Sequence, residues 1–294
     1  MSDGWAEFWQ AGVGACLPKA GGGTAGLLAR CWQDFAAPLP RKAELLDLAS
    51  GDGAVLKTIR AARADLRLIG VDSAPRLPAA PQGIKLLAAI RMEALPFPAG
   101  RFAAVTSQFG FEYGETGAIA REVARVLAPS GRYRFVVHHH SSQVLAHNQA
   151  RCAGLRWAVE DSQLLQQARA LVHARSRAAL PTPERFHQAP AQARQLAAGA
   201  GVAAEIATAV LQTLEMGRAR APELSLGALH DLERKARAEI ARIEALAAAA
   251  RDETAIDQME QELRSAGLHP QTRAELCEAT GAPPLAWLLS GGAA

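Results

Sequence analysis

The sequence predicts an α/β protein, with a mostly parallel sheet that carries helices on both faces and a large helical insertion after the fifth strand. Three observations indicate this fold class. Short apolar runs alternate with amphipathic helical runs between residues 44 and 140, which is typical of a parallel sheet buried on both sides. From residue 142 to 250 the composition shifts to Ala, Leu, Gln and Arg with helical periodicity. Two further apolar runs after residue 267 complete a seven-stranded sheet.

The composition fits a folded protein of the cytoplasm. The 294 residues are 49% hydrophobic, which is ample for a core. The net charge of +3 comes from interspersed positive and negative side chains, so the charge balance does not indicate a nucleic-acid partner. The four cysteines form no CxxC pair and fit reduced thiols. Because neither a leader pattern nor a run of about 18 uncharged apolar residues occurs, we expect no membrane partner.

The chain begins with predicted helices in residues 1–40. Trp5, Phe8 and Trp9 fall on one face of a short helix, and a second apolar helix is predicted from about 24 to 35, after a glycine-rich break. Core packing explains the aromatic side chains, and closure over a ligand is the alternative interpretation.

The first strand, near residues 44–49, ends in a glycine turn. An acid at Asp47 is followed by Gly51 and Gly53, and a helix is predicted over 53–63. Glycine permits a tight strand-to-helix turn and lets a bound molecule approach the backbone closely. Two glycines alone are a weak signal, so a turn without a ligand is the alternative interpretation.

A second acid strengthens the ligand interpretation. The strand near 67–72 ends in Asp72, about 20 residues after the glycines, where a neighbouring parallel strand delivers a carboxylate to a ribose diol. The third glycine of the dinucleotide fingerprint would fall at Leu56, so a nicotinamide or flavin site is incomplete. The two motifs together predict a ligand that carries a ribose.

The sheet continues with three more strands, near 84–90, 102–108 and 132–139, and with a helix near 115–128. At this point the sequence resembles the class I S-adenosylmethionine-dependent methyltransferases. The resemblance rests on five segments in the order of that family: the glycine turn, the strand ending at Asp72, and residues 92–105, 107–113 and 122–131. It implies a Rossmann-like fold whose terminal hairpin places the last strand antiparallel in the sheet.

The resemblance also implies a binding site for S-adenosylmethionine, with S-adenosylhomocysteine as the product. The turn would surround the methionine moiety, Asp72 would bind the ribose hydroxyls, Met92 would lie beside the adenine, and Gln108 and Phe109 would lie near the sulfonium. The full implied set is Asp47, Ala49, Ser50, Gly51, Gly53, Asp72, Ser73, Met92, Glu93, Gln108 and Phe109.

Three positions depart from the family pattern. Ala49 stands where a glycine is usual, Arg91 where an adenine-contacting Asp is common, and Ala103 where many members have an Asp. The change at Ala49 is expected to be a small steric one. Arg91 removes a carboxylate that could accept a hydrogen bond from the adenine amino group, so it affects the expected cofactor contact most.

Histidines at the end of the fifth strand are candidates for a general base. Alternation along a strand sends His138 and His140 to one side and His139 to the other. Histidine titrates near neutrality, so His138 or His139 could serve a hydroxyl or ammonium acceptor, with Glu112 and Tyr113 as weaker candidates. Adjacent strand residues cannot converge on one ion, so no metal site is expected. Ordinary strand-end histidines are the other interpretation.

The segment after the fifth strand is predicted to leave the sheet and return to it. We expect residues 41–141 and 251–294 to form the sheet domain and residues 142–250 to form a helical insertion that serves as a lid or as a homodimer surface. Its candidate helices are 158–179, 189–198, 202–215 and 225–250, bounded in part by prolines. A helix over 256–266 and strands over 268–277 and 284–290 follow it.

The resulting prediction is an S-adenosylmethionine-dependent methyltransferase. It would transfer a methyl group by in-line displacement to an O or N atom of a small or medium-sized organic acceptor. A non-catalytic binding or scaffold protein with the same fold is the alternative, and it would bind the cofactor weakly. A nucleic-acid methylase would need a basic groove with aromatic side chains for base stacking, and the helical segment has few of these.

Overall fold

The computed structural model describes residues 22–219 and 221–293. The chain divides into two compact units. Within the described residues, the first unit comprises residues 22–145 and 245–293 and contains the sheet, whereas the second unit, Ala146–Glu244, is helical. The predicted helix with Trp5, Phe8 and Trp9 lies outside the described residues.

The first unit contains the strands predicted between residues 44 and 140. Its elements in chain order are α1 (Gly22–Ala36), β1 (Glu44–Leu48), α2 (Ala54–Ala62), β2 (Arg67–Val71), β3 (Ile84–Leu87), β4 (Phe102–Gln108), a 3₁₀ turn (Phe111–Tyr113), α3 (Thr116–Val126) and β5 (Leu127–His138). Helices follow β1 and β4, whereas β2, β3 and β4 follow one another directly.

The remaining elements run through the second unit and back into the first. In chain order they are α4 (Gln143–Arg156), a π-helical turn (Trp157–Asp161), α5 (Leu164–Arg175), α6 (Glu184–Ala193), α7 (Ala200–Met216), a 3₁₀ turn (Gly217–Ala219), α8 (Pro222–Ala249), α9 (Glu253–Ser265), β6 (Leu268–Cys277) and β7 (Pro284–Ala293).

The seven strands form one sheet in the order β3-β2-β1-β4-β5-β7-β6. Strands β1 to β5 pair in parallel, and β7 is antiparallel to both of its neighbours. The predicted fold class is therefore confirmed, including the terminal hairpin. The strand order reverses between β1 and β4, and in such sheets ligands bind outside the carboxyl ends of the strands at this reversal.

Register brings the predicted site residues to one edge of the sheet. Leu48, the last residue of β1, pairs with Val71 on β2 and with Ser107 on β4. The residues that follow these three positions are Ala49, Asp72 and Gln108. They therefore emerge together at the carboxyl edge, as the sequence predicts.

Two apolar clusters cover the two faces of the sheet. Leu45 on β1 belongs to one cluster with side chains of α1 and α2, including Trp32 and Leu56. The next residue, Leu46, belongs to the other cluster with side chains of α3 and α9, including Ile119. Alternation of neighbouring strand residues between two buried faces explains why the strands are continuously apolar.

Three strands differ from the predicted bounds by three residues or more. Strand β7 continues to Ala293, past the predicted end at 290, because it stays paired with both neighbours. Strand β3 ends at Leu87, because Ala89 adopts a left-handed φ of 57° and its N–H bonds to the carbonyl of Ala74 at 2.8 Å. Strand β5 begins at Leu127, five residues before the predicted start at 132. The ladder with β4 is interrupted by a register shift after the pair formed by Leu127 and Phe102, and apolar periodicity does not reveal such an irregular start.

The helical unit corrects several predicted boundaries. The predicted helix over 158–179 is instead the π-helical turn followed by α5, because Gln163 is left-handed with a φ of 54°. Helix α4 was not predicted, because its apolar and polar residues do not separate into a clear stripe. Pro190 lies inside α6 and does not begin a helix, since it is buried with Phe186 and Ala193 and this packing opposes the lost backbone hydrogen bond.

None of the helices within residues 22–219 and 221–293 combines the length and the apolar character that a membrane crossing requires.

Candidate functional site

The turn between β1 and α2 has an unusual backbone. Ala49, Gly51 and Gly53 all have positive φ values, of 51°, 50° and 77°. The N–H of Gly53 donates to the carbonyl of Ser50 at 2.7 Å, which closes the turn. Glycine adopts this conformation readily, whereas Ala49 does so at a cost of about 1–2 kcal/mol. The departure at Ala49 is thus conformational and not merely the small steric change that was expected.

Gly110, in the loop after β4, leaves space for Ala49. A Cβ placed on Gly110 would lie only 2.4 Å from the Cβ of Ala49, and 3.0 Å from the Oγ of Ser107. The glycine turn and the loop after β4 therefore pack directly against each other at the carboxyl edge of the sheet.

Asp72 is bound to the glycine turn. Its Oδ2 accepts a hydrogen bond from the N–H of Gly51 at 2.9 Å, and its Oδ1 accepts one from the N–H of Ala74 at 2.9 Å. Only 4% of the residue is exposed, and this burial raises the pKa of its carboxyl group. Each carboxylate oxygen has further lone pairs, so the group can still accept hydrogen bonds from a ligand hydroxyl.

Two other polar side chains lie buried at the turn. Burial raises the pKa of Asp47 to about 8, although the hydroxyl of Thr106 donates to its Oδ1 at 2.7 Å and opposes the rise. Asp47 is therefore predominantly a neutral acid at pH 7. The Oγ of Ser50 is buried without a hydrogen-bonding partner among the described residues. A buried hydroxyl without a partner is uncommon and marks a position where a ligand could supply one.

A pocket of about 270 Å³ opens beside the turn. It brings together four residues of the predicted cofactor set, and its other walls come from residue 91 and from the segment after β4. The lining residues are Ala49, Ser73, Arg91, Met92, Glu93, Tyr113, Gly114 and Glu115. Sequence reasoning missed the wall formed by Gly114 and Glu115, because no local motif marks residues that reach a pocket only through the sheet topology.

The pocket contains carboxylates even though residue 91 is an arginine. Arg91 is largely exposed, and its guanidinium lies 3.4 Å from the carboxylate of Glu93. The Oε1 of Glu93 accepts a hydrogen bond from the backbone N–H of Glu115 at 3.4 Å. Glu93 thus faces the opposite pocket wall with a hydrogen-bond acceptor.

Beyond the pocket, His138 at the end of β5 is paired with Glu112. Its Nδ1 lies 2.7 Å from the Oε1 of Glu112, and its backbone N–H donates to the same oxygen at 2.9 Å. The ring of Phe109 packs on the imidazole with centroids 4.3 Å apart, and the ring of Tyr113 meets it edge-on at 5.7 Å. Because Tyr113 also lines the pocket, His138 lies one side chain away from it.

His139 points to the other side and is fully engaged. Its Nδ1 accepts a hydrogen bond from the N–H of Ser141 at 3.0 Å, so its Nε2 carries the proton and donates to Glu275 at 3.2 Å. Its ring packs on Trp287, and burial lowers its pKa. Neither ring nitrogen of His139 is available to a substrate in this arrangement.

Of the remaining predicted residues, Gln108 is the last residue of β4 and Phe109 follows it. The Oε1 of Gln108 accepts a hydrogen bond from the indole N–H of Trp32 at 2.7 Å, a partner that sequence reasoning did not find. Phe109 is left-handed, with a φ of 56°, which turns the chain sharply at the sheet edge. Within the described residues, no group of three or more His, Cys, Asp or Glu side chains is arranged to hold a metal ion.

Residues 46–135 match the family model described as a methyltransferase domain. This segment of the chain is therefore similar to a methyltransferase domain. It runs from Leu46 in β1 to Phe135 in β5 and includes every residue of the predicted cofactor set. The paired His138 lies just beyond the matched segment. No curated protein has a sequence that matches this chain.

Two of the solved structures that are similar to most of this chain have a name that states an activity. An S-adenosylmethionine-dependent methyltransferase from Mesorhizobium loti is similar over 90% of this chain and 97% of that chain, with 14% identity and a TM-score of 0.46. Geranyl diphosphate C-methyltransferase from Streptomyces coelicolor A3(2), in complex with S-adenosyl-L-homocysteine, is similar over 92% of this chain and 76% of that chain, with 11% identity and a TM-score of 0.47. Similarity at this level does not carry a substrate from one protein to another.

Proposed function

We propose that this protein is an S-adenosylmethionine-dependent methyltransferase that acts on an O or N atom of a small or medium-sized organic acceptor. The observation that carries the proposal is the hydrogen bond between Asp72 and the N–H of Gly51, at 2.9 Å. It joins the predicted ribose-binding acid to the predicted methionine-binding turn, inside the matched methyltransferase domain.

The residues of the site fit this cofactor. The turn offers glycine backbone at Gly51 and Gly53, and the buried hydroxyl of Ser50 lacks a partner among the described residues. Asp72 would accept hydrogen bonds from the ribose hydroxyls. Met92 and Glu93 would flank the adenine in the pocket of about 270 Å³, a volume near the lower end of the usual range for ligand sites.

When bound, S-adenosylmethionine supplies an electrophilic methyl group on a sulfonium. The contribution of the protein is then to hold the acceptor in line with that methyl group and away from water. An acceptor hydroxyl or ammonium must also lose a proton, and a positioned base accelerates that loss. Of the two predicted bases, the proposal keeps His138, because both ring nitrogens of His139 are already bonded to the protein.

The test is isothermal titration of the purified protein with S-adenosylmethionine and S-adenosylhomocysteine. We expect one-site micromolar binding that Asp72→Ala weakens at least about tenfold, a loss of about 1.4 kcal/mol. Asp34→Ala is the matched control, since Asp34 is an exposed acid of α1 in the same unit. Absence of binding to either compound would reject the enzyme and favour the non-catalytic alternative.

A further inference from the structure

Glu112 is buried in a way that its structural contacts do not explain. Its side chain has no exposed surface. One carboxylate oxygen, Oε1, takes both the backbone N–H and the ring nitrogen of His138, whereas Oε2 has no hydrogen-bonding partner among the described residues. A buried polar atom without a partner costs about 1–3 kcal/mol, so stability alone does not account for an acid at this position.

The geometry determines which nitrogen of His138 carries the proton. A glutamate carboxylate has no proton to donate, and Oε1 of Glu112 already accepts a hydrogen bond from the backbone N–H of His138. The contact of 2.7 Å between the same oxygen and Nδ1 then places the ring proton on Nδ1. The lone pair of the neutral ring is left on Nε2, which forms no hydrogen bond with the described residues.

Arg251 holds the two partners of this pair together. Its Nη2 donates to the backbone carbonyl of Glu112 at 2.8 Å, and its backbone N–H donates to the carbonyl of His138 at 2.8 Å. The carbonyl of Arg251 in turn accepts from the indole of Trp287 at 2.9 Å. The 3₁₀ turn Phe111–Tyr113 and the end of β5 are therefore held together by contacts that do not involve the carboxylate of Glu112.

We propose that Glu112 is the positioning residue of His138, and that the pair selects acceptors whose nucleophilic atom bears a proton, namely hydroxyls and ammonium groups. The inference rests on the proposed function and deepens it. In the reaction, the proton of the acceptor passes to Nε2 of His138 while the new bond to the methyl carbon forms. The C–S bond breaks, its electron pair stays on sulfur, and the proton later leaves to solvent.

His139 provides the contrast within the same strand. Its Nδ1 accepts a backbone N–H and its Nε2 donates to Glu275, which is the opposite tautomer. Two adjacent histidines, each beside a glutamate, are thus expected to hold their protons on different nitrogens. The difference can be measured without any acceptor or cofactor.

The first measurement is ¹⁵N NMR of the histidine rings in the free protein, at a pH about two units above the ordinary histidine pKa. His138→Asn and His139→Asn assign the signals. We expect Nδ1–H for His138 and Nε2–H for His139. Glu112→Ala should release His138 to a mixture of tautomers, whereas Glu112→Gln, whose amide oxygen can keep both bonds, should preserve Nδ1–H. The matched control, Glu275→Gln, should leave the His138 signal unchanged.

The second measurement uses a panel of hydroxyl and amine acceptors with S-adenosylmethionine. Glu112→Ala should lower kcat about a hundredfold with little change in KM, and Glu112→Gln should recover part of the loss. Titration with S-adenosylmethionine separates the two proposals. If wild type does not bind it, the proposed function fails. If it binds but His138 shows Nε2–H, or if Glu112→Ala folds and keeps full kcat, only the role of Glu112 is overturned.

Discussion

The glycine turn after β1 and the end of β5 lie at the same edge of the sheet but are constructed differently. The turn is made of backbone, with three positive φ values between Ala49 and Gly53 and a hydrogen bond from Gly51 to Asp72. The end of β5 is made of side-chain pairs: His138 and Glu112 are both buried, whereas the buried His139 pairs with the exposed Glu275. A backbone cradle suits a ligand held by shape and N–H groups, whereas paired side chains suit proton transfer.

The two regions also differ in how local they are. The turn is formed by residues within one stretch of chain and by one neighbouring strand. The partners at the end of β5 are separated from it by 26 positions for Glu112 and by 136 positions for Glu275. The difference teaches that the glycine turn is local in the chain, whereas the side-chain pairs at the end of β5, like the pocket wall at Gly114 and Glu115, are assembled only by folding.

The largest expected effect separates the two histidines. His138→Asn should lower kcat about 10²- to 10⁴-fold, because a general base is lost, with the affinity for S-adenosylmethionine little changed. His139→Asn should leave kcat within a few-fold and lower the free energy of unfolding, since His139 packs on Trp287. Steady-state kinetics and chemical denaturation measure both. Equal losses of kcat in the two variants would erase the distinction between the two sides of β5.

The next effect concerns the buried acid of the turn. The folded pKa of Asp47 lies at about 8, above its ordinary value of 3.8, so the folded state favours the protonated form between these values. The free energy of unfolding should therefore fall as the pH rises from about 4 to about 8, by up to about 1.4 kcal/mol per unit from this group.

Asp47→Asn tests this dependence, because an amide cannot ionise. Urea denaturation across the same pH range should show a flatter profile for the variant than for wild type, and the difference between them isolates the group. Asp72, whose pKa is also raised by burial, adds a slope of the same sign that both proteins share. Parallel profiles would mean that Asp47 is ionised throughout.

A smaller effect concerns the space behind the turn. In Gly70→Ala the new Cβ would lie 2.5 Å from the Oγ of Ser50 and 2.7 Å from Leu86, so the turn must shift. We expect a loss of about 1–3 kcal/mol in unfolding free energy and weaker cofactor binding. Gly227→Ala, on an exposed and unobstructed position of α8, should instead stabilise by about 0.5–1 kcal/mol. Cofactor affinity unchanged in Gly70→Ala would show that Ser50 can move without consequence.

The smallest effect tests the strained alanine. Ala49→Gly should raise the free energy of unfolding by about 0.5–1 kcal/mol, because glycine adopts the φ of 51° without strain. The higher conformational entropy that glycine gives the unfolded chain offsets part of this gain. Ala61→Gly, on the exposed side of α2, should lower stability by a similar amount. Thermal melts of the two variants should therefore move in opposite directions, and shifts of the same sign would argue against strain at Ala49.

Most of the fold could be predicted because it depends on local patterns. Apolar runs placed β1, β2 and β4 within one residue of their observed ends. Predictions failed where the backbone departs from regular geometry. The left-handed residues Ala89 and Gln163 ended elements that periodicity would have continued, and neither residue type signals that conformation.

The sequence by itself determined the sheet, the glycine turn and the acid at Asp72, because spacing and apolar periodicity are properties of a short stretch of chain. Only the tertiary structure decided that burial raises the pKa of Asp47 enough to keep it protonated. It also decided that His138 is the histidine whose Nε2 forms no hydrogen bond with the described residues. It also supplied Glu112 as the partner. Desolvation and pairing depend on which distant side chains the fold brings within hydrogen-bonding distance, and no spacing along the chain encodes them.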